Sequence, residues 1–280
     1  MDAFAQFLHR CKDPRYYQIA VLSSLVIFGV VGLDFGIRWT NVFLIVSCAL
    51  ATQYVGTKLA GLARFDPLSP LITSLSLTLL FRTNMPELAA LAACIAISSK
   101  FLIRINGKHV FNPANVAIVS LVLLSDHAWI SSGQWGNAAI GAFALACLGF
   151  IVLTRARRSE TTITFLIAYS TLMFGRAIWL GDPLAIPLHQ LQNGALMIFA
   201  FFMISDPKTT PDARLGRILY ASLVASVAYI IQFVFYVPSA PVLALVMCAP
   251  VVPVLDAVFS GRIYRWDMPD ACPTAVLKGV

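Results

Sequence analysis

The sequence predicts an all-α integral membrane protein with about ten transmembrane helices. Of its 280 residues, 59% are apolar and 12% are charged, and the mean hydropathy is +0.81, whereas soluble proteins carry about 25% charged residues. The apolar residues form ten runs separated by short polar segments. Because no water-soluble core of this size absorbs so much apolar surface, these runs are predicted to cross a bilayer.

The positive charges give the predicted orientation. We place the amino terminus in the cytoplasm and let all ten runs cross the membrane. In this topology only Arg38, Arg82 and Arg176 of the 20 Lys and Arg residues lie on the outer side. Short cytoplasmic loops retain Lys and Arg, so the asymmetry predicts a multi-pass protein of the bacterial inner membrane with both termini in the cytoplasm. The net charge of +7 is then a topology signal, since no basic stripe or aromatic platform for nucleic acid accompanies it.

The predicted spans form two groups of five. The first group comprises residues 17–33, 41–59, 68–81, 86–103 and 113–129. The second comprises residues 137–154, 161–180, 188–204, 215–236 and 241–259. The chain is therefore predicted to be a single membrane domain, 1–280, with a cytoplasmic amino-terminal segment (1–16), a first repeat (17–129), a second repeat (137–259) and a cytoplasmic tail (260–280).

The third and eighth spans are too short for an ordinary crossing, which needs about 20 residues. Equivalent spans of the two groups start 120 residues apart for the first three pairs, and 129 and 128 residues apart for the last two. Five is an odd number, so a second copy enters the membrane from the opposite side, which predicts inverted repeats with short or broken third and eighth helices. The alternative is that prolines such as Pro67 and Pro187 only punctuate loops.

A polar segment, GKHVFNPAN (107–115), precedes the fifth span. Pro113 suits the first helical position and Asn112 suits an N-cap whose side chain accepts a backbone N–H bond. Asn115 lies one turn inside an apolar helix, where a buried amide needs a partner. That partner is either another helix or a bound polar heterocycle, and the sequence leaves both open.

A second polar segment, SDPKTTPD (205–212), lies on the same predicted cytoplasmic side. It is either a turn punctuated by prolines or part of a binding site shared with residues 107–115. Its candidate ligand-binding side chains are a carboxylate, an ammonium and two hydroxyls, on Asp206, Lys208, Thr209 and Thr210. A third segment, FDPLSP (65–70), leads into the short third span.

The sequence carries no recognisable catalytic motif and no metal-ligand spacing. It has no GxSxG, HExxH or Walker A pattern, and its six cysteines form no CxxC pair. We therefore predict no metal site, and the catalytic residues, if there are any, stay unassigned.

These segments, taken in order, resemble one family. GKHVFNPAN, then residues 189–217, then residues 249–266, are similar to the family that joins the D subunit of the Rnf electron-transport complex to the B subunit of the sodium-pumping NADH:quinone oxidoreductase. The resemblance implies ten helices in two inverted halves, flavin binding, and electron transport within a complex that moves sodium ions or protons. It also implies a non-covalently held, riboflavin-type flavin near Asn112, with His109 as the nearby polar residue.

One departure bears on the cofactor. Family members carry a phosphoester-linked FMN on a threonine of the outer loop between spans five and six, but here that loop, 125–136, reads SDHAWISSGQWG and has no threonine. The resemblance thus implies a flavin, riboflavin or FMN, that is bound non-covalently, and no covalent FMN.

The sequence therefore predicts a membrane electron-transport protein that binds flavin through His109, Asn112, Asn115, Asp206, Lys208, Thr209 and Thr210. Its expected partners are the lipid bilayer and membrane or soluble redox subunits. Two alternatives stay open: a transporter or channel for flavin or another small solute, and a membrane anchor for a soluble redox partner.

Overall fold

The computed structural model describes residues 13–32, 36–131, 159–261 and 264. The sixth predicted span, 137–154, lies outside these residues, as does most of the loop before it. In the first half the helices are α1 (Pro14–Val31), α2 (Trp39–Leu59), α3 (Leu68–Leu80), α4 (Pro86–Leu102) and α5 (Pro113–Leu124). In the second half they are α6 (Ser159–Leu180), α7 (Ala185–Leu191), α8 (Gly194–Ile198), a π-helix (Phe199–Met203), α9 (Arg214–Phe233), α10 (Ala240–Cys248) and α11 (Val251–Val258).

Nine of the ten predicted spans coincide with these helices or with consecutive helices. Four described helices are long and apolar enough to cross a membrane alone, namely α1, α2, α6 and α9. The pair α10 and α11 passes the same test as one span bent by 52°. Large apolar side chains such as Phe43 and Trp179 are exposed on the outside of the helices, as expected where lipid replaces water. The chain is a multi-pass membrane protein.

Two short antiparallel sheets interrupt the predicted helical pattern. Strand β1 (Phe81–Thr83) pairs with β4 (Ala128–Ile130), and β2 (Arg104–Ile105) pairs with β3 (Lys108–His109). The fifth span was predicted to continue to residue 129, but α5 ends at Leu124. Pairing β1 with β4 satisfies the backbone groups of the segment that follows the short helix α3, and the Ser131 N–H donates to the Leu80 carbonyl at the end of α3 at 2.8 Å. Such pairing is necessary wherever irregular backbone lies at depth.

The helix starts follow from local sequence. Proline occupies a first-turn position of α1, α4, α5 and α10, where its missing N–H costs no hydrogen bond. Asp13 caps α1 by accepting a bond from the Arg15 N–H at 3.0 Å. Asn193 caps α8 in the same way, accepting from the Ala195 N–H at 2.8 Å. These caps fix where each helix begins.

Small residues bring the helices close together. In α4, the alanines at 89, 92, 93 and 96 are fully buried, and in α9 those at 221, 225 and 228 are also fully buried. The main helix contacts are α2 with α4 and α6 with α9, followed by α9 with α10 and α4 with α5. The contacts α2 with α4 and α4 with α5 in the first half thus have counterparts in the second, namely α6 with α9 and α9 with α10, and the small side chains allow the backbones to approach closely in both.

Two of the hydroxyl groups of α3 are bonded within the helix itself. Thr73 Oγ1 donates to the Ser69 carbonyl at 3.0 Å, and Ser74 Oγ donates to the Pro70 carbonyl at 2.8 Å. Such bonds to the preceding turn satisfy buried hydroxyls without a ligand. The hydroxyls of Thr73 and Ser74 are therefore accounted for by the helix backbone.

Candidate functional site

A tight hairpin carries the first polar segment. Asn106 and Gly107 connect β2 to β3 with positive φ angles of 51° and 76°, the conformation of a two-residue type I′ turn. Lys108 in β3 forms ion pairs with Asp212 at 3.0 Å and with Asp256 at 2.7 Å. These pairs tie the hairpin to the segment before α9 and to α11, and they fix the position of the adjacent His109.

A cavity of about 280 Å³ lies beside this hairpin. Its wall is formed by the start of α1, α3 and α5, by the end of α2 and α4, and by side chains between residues 201 and 208. All three polar segments singled out in the sequence contribute to it, through Asp66, His109, Asn112, Asp206 and Lys208. We call it the inner cavity. Its volume is near the lower end of the range of about 300–1,000 Å³ for small-molecule pockets.

Asn112 joins the first polar segment to the second. Its Oδ1 accepts a bond from the Asn115 N–H at 3.1 Å, which confirms the predicted N-cap. Its Nδ2 lies 3.4 Å from Asp206 Oδ2 and 3.4 Å from the Met203 carbonyl. Both ends of the amide are therefore engaged, and the side chain does more than cap a helix.

Three of the predicted ligand-binding residues point elsewhere. Asn115 is 1% exposed, does not line the inner cavity, and donates from Nδ2 to the Val242 carbonyl of α10 at 3.1 Å. The hydroxyls of Thr209 and Thr210 donate to the Asp206 carbonyl at 3.3 Å and 3.1 Å. This placement favours the helix-to-helix interpretation of Asn115, and the two threonines build the turn that presents Asp206.

His109 is a neutral group in the wall of the inner cavity. Burial lowers its pKa from the usual 6.5 to about 3, and the charges of Lys100, Arg104 and Lys208 act in the same direction. Its Nδ1 has no hydrogen-bond partner among the described residues. At neutral pH the imidazole therefore offers one donor and one acceptor rather than a positive charge.

Sequence reasoning missed a buried charged group in the wall of the inner cavity. The Lys100 ammonium in α4 is buried, and it donates to Gln53 Oε1 and to Ser69 Oγ, both at 2.8 Å. Arg15 is also buried, and it pairs with Asp66 at 2.5 Å and with Asp13 at 2.7 Å. The signal was available, since ionisable residues inside apolar spans generally indicate a functional site.

Aromatic rings form the apolar part of the wall. Phe101, Phe201 and Phe202 line the cavity together with the polar groups. Gly56 of α2 leaves room for Phe101, because a Cβ at position 56 would lie 2.5 Å from a ring atom. Phe201 and Phe202 belong to the π-helix, a deviation that is frequent at functional sites.

A second cavity of about 280 Å³ lies at the start of α8 and α10. Gln190 and Asn193 line it, as do Tyr169 of α6 and Gln232 of α9, whose side chains are hydrogen-bonded to each other. No charged side chain contributes to its wall among the described residues. We call it the outer cavity.

The described residues contain no group of three or more His, Cys, Asp and Glu side chains suited to a metal ion. Within the same part of the chain, Cys48, Cys94 and Cys248 are free thiols. The candidate site is lined by amides, charged groups and aromatic rings.

Comparisons with known proteins agree with this architecture. The model of the NQR2, RnfD, RnfE family matches residues 125–265, about half of the chain. A relative from Psychromonas ingrahamii, named as the D subunit of an ion-translocating oxidoreductase complex, is 32% identical over 124 residues, which cover 44% of this chain and 35% of the relative. Another with the same name, from Erwinia tasmaniensis, is 30% identical over 133 residues, 47% of this chain and 36% of the relative.

The matched part thus spans about a third of the length of these curated relatives. The family match includes Asp206 and Lys208, whereas Asn112 lies before its first residue. Because the family match covers half of the chain, the chain belongs to the NQR2, RnfD, RnfE family.

Proposed function

We propose that the chain is a ten-span membrane protein of two inverted repeats, with both termini in the cytoplasm of the bacterial cell. The paired helix contacts of the two halves support this arrangement. So do the two cavities, one at the start of each short helix, with Pro113 of α5 lining the inner cavity and Pro241 of α10 lining the outer one. In this arrangement residues 1–280 form one membrane domain, the repeats are 17–129 and 137–259, and the inner cavity opens towards the cytoplasm.

The function that the geometry supports best is electron transfer through a flavin held non-covalently in the inner cavity. The observation that carries this proposal is the meeting of His109, Asn112, Asp206 and Lys208 in one aromatic-walled pocket. A flavin, when bound, supplies reversible electron transfer. Relatives that carry the name of an ion-translocating oxidoreductase component support a role beside membrane or soluble redox subunits, coupled to ion movement.

The residues present fit such a molecule. Phe101, Phe201 and Phe202 offer apolar surfaces for a flat ring. Neutral His109 bonds to the Lys100 backbone, and its Nδ1, which has no partner among the described residues, offers an acceptor to a ring N–H group of a flavin. Asn112 and Asp206 hold the two sides of the pocket together, so that the rings stay in place when the cavity fills.

Purification tests this proposal directly. The protein, extracted in mild detergent and kept in the dark, is expected to show flavin absorption, and denaturation is expected to release the flavin into the supernatant. A protein band that stays fluorescent after denaturing electrophoresis would instead indicate a covalent flavin. A folded protein without flavin would contradict electron transfer.

A solute pathway is the second candidate function. The π-helix contributes to the walls of both cavities, with Phe201 and Phe202 lining the inner cavity and Phe199 lining the outer one. A pathway that joins them by movement of these three rings would carry a small neutral molecule. Flavin uptake into proteoliposomes by a protein that binds no flavin after purification would favour this function. A protein that shows neither flavin uptake nor flavin absorption would favour the role of a membrane anchor for a soluble redox partner.

A further inference from the structure

Lys100 lacks a counterion in its immediate surroundings. Its side chain is 6% exposed, and its two hydrogen-bond acceptors, Gln53 Oε1 and Ser69 Oγ, are neutral. Within the described part of the chain, no carboxylate oxygen lies within the 4.0 Å of an ion pair with its Nζ. Asp66 and Asp206 attract it from further away. An ammonium has three donors, so two neutral acceptors leave one donor for a further group.

The nearby carboxylates are already engaged with other groups. Asp66 pairs with Arg15 at 2.5 Å and accepts from the Leu68 N–H at 3.1 Å. Asp206 accepts from the Lys208 N–H at 3.0 Å and lies 3.4 Å from the Asn112 amide. Moving either carboxylate to Lys100 would break these contacts. A buried charge without a close partner is costly, so a partner from outside the chain is favoured.

The rest of the cavity wall adds positive potential. Its cationic side chains are Arg15, Arg64, Lys100, Arg104 and Lys208, against the two carboxylates of Asp66 and Asp206. The short helix α3 begins in the same wall, through Ser69. The start of a helix carries a partial positive charge that favours an anion. Both the wall and the helix therefore attract negative charge to the place where Lys100 lies.

We propose that the ligand of the inner cavity presents an anionic group to the Lys100 ammonium, which makes Lys100 a residue that selects charged over neutral ligands. This inference rests on the proposed flavin site. Two parts of a flavin supply such a group: the phosphate of FMN, and the ring itself once reduction and loss of a proton have made it anionic. Oxidised riboflavin has neither.

Ligand titration of flavin-free protein tests the proposal. The probes are oxidised FMN, oxidised riboflavin and the reduced form of each under anaerobic, mildly alkaline conditions. They are titrated into wild type, Lys100→Met and Lys58→Met. Lys58 is the matched control, because it is an exposed lysine of α2 outside the cavity wall. Lys100→Gln replaces Lys100→Met if the latter does not elute as a folded protein.

If the phosphate is the anionic group, wild type should bind oxidised FMN at least about tenfold more tightly than riboflavin, the factor that corresponds to 1.4 kcal/mol. If the ring is the anionic group, the two flavins should bind alike and their reduced forms more tightly. In either case Lys100→Met should reduce the ratio of affinities for the charged and the neutral probe to about twofold. Lys58→Met should keep the wild-type ratio.

The role of Lys100 would be overturned if Lys100→Met kept the wild-type ratio of affinities for charged and neutral flavins, or if wild type bound all four probes equally. Either result would leave the flavin site in place. Failure of wild type to bind any flavin would overturn the flavin site itself, and this inference with it. The two failures are therefore distinguishable.

Discussion

The Nδ2 atom of Asn112 lies 3.4 Å from Oδ2 of Asp206, although 94 residues separate them in the chain. This contact joins the start of α5 to the turn after the π-helix, and so joins the two halves of the protein at the inner cavity. Its distance is long for a hydrogen bond. The contact therefore acts mainly by position, holding two polar segments on opposite sides of one pocket.

Substitutions of Asn112 separate its capping role from its role in the cavity. Asn112→Ala should lower the free energy of unfolding by about 1 kcal/mol, because the Asn115 N–H loses its acceptor. Asn112→Ser keeps an acceptor and should restore most of this stability. It lacks the amide donor, so flavin affinity should fall by about five- to 150-fold, as for a lost hydrogen bond of about 1–3 kcal/mol, and flavin content per folded protein should fall with it. Melting temperature and flavin content measure the two effects, and full flavin occupancy in Asn112→Ser would remove Asn112 from the site.

Asn115 should behave in the opposite way. Asn115→Ala removes the bond to the Val242 carbonyl that joins α5 to α10, and it should cost about 1–3 kcal/mol of stability. Flavin occupancy of the folded fraction should stay at the wild-type level, because Asn115 does not line the inner cavity. Loss of flavin without loss of stability would contradict this assignment and restore Asn115 as a ligand-binding residue.

Gly56 should control the width of the inner cavity. In Gly56→Ala the new methyl group would lie 2.5 Å from the Phe101 ring, so the ring must move. Because Phe101 lines the cavity, we expect flavin affinity to fall, with an overpacking cost of about 1–3 kcal/mol. Gly175→Ala is the matched control, since a Cβ at position 175 in α6 meets nothing within 4 Å. Equal flavin affinity in both variants would argue against a ligand beside Phe101.

His109 should make stability depend on pH. Burial holds its folded-state pKa at about 3, below the usual 6.5. Between these two values the unfolded chain binds a proton that the folded chain does not, so the stabilisation is present above pH 6.5 and is lost as pH falls towards 3. Between pH 3 and 6.5, His109→Gln should reduce the slope of the free energy of unfolding against pH by the equivalent of up to one bound proton. His127→Gln is the control because His127 is exposed, and an unchanged slope in His109→Gln would contradict the buried neutral imidazole.

Cysteine labelling should test the orientation. In a cysteine-free background, His127→Cys should react with a membrane-impermeant reagent in intact cells, and Asn106→Cys should react only after permeabilisation. Both positions are exposed, unlike Ser131 and Thr210, which are buried at 2% and 1% exposure. Labelling of position 106 from outside would reverse the topology and move the inner cavity to the other side of the membrane.

Much of the helical pattern could be predicted from the order of residues. Apolar runs, prolines at helix starts and the Asn112 cap depend on neighbours within one turn, so the sequence alone indicated them. The end of α5 could not be predicted in this way. The fifth span was predicted to reach residue 129, but residues 128–130 form β4 and pair with β1, and that pairing depends on a segment more than 40 residues earlier.

The candidate site also could be predicted only in part. The sequence by itself determined the membrane class, the two polar segments and the family resemblance, because hydropathy, turn residues and motifs are local. Only the tertiary structure decided that Lys100 and Phe101 face the same pocket as His109 and Asp206, while Asn115 faces α10. The physical reason is that helix rotation is set by packing against neighbouring helices, here through the alanines of α4, and packing is decided by residues far apart in the chain.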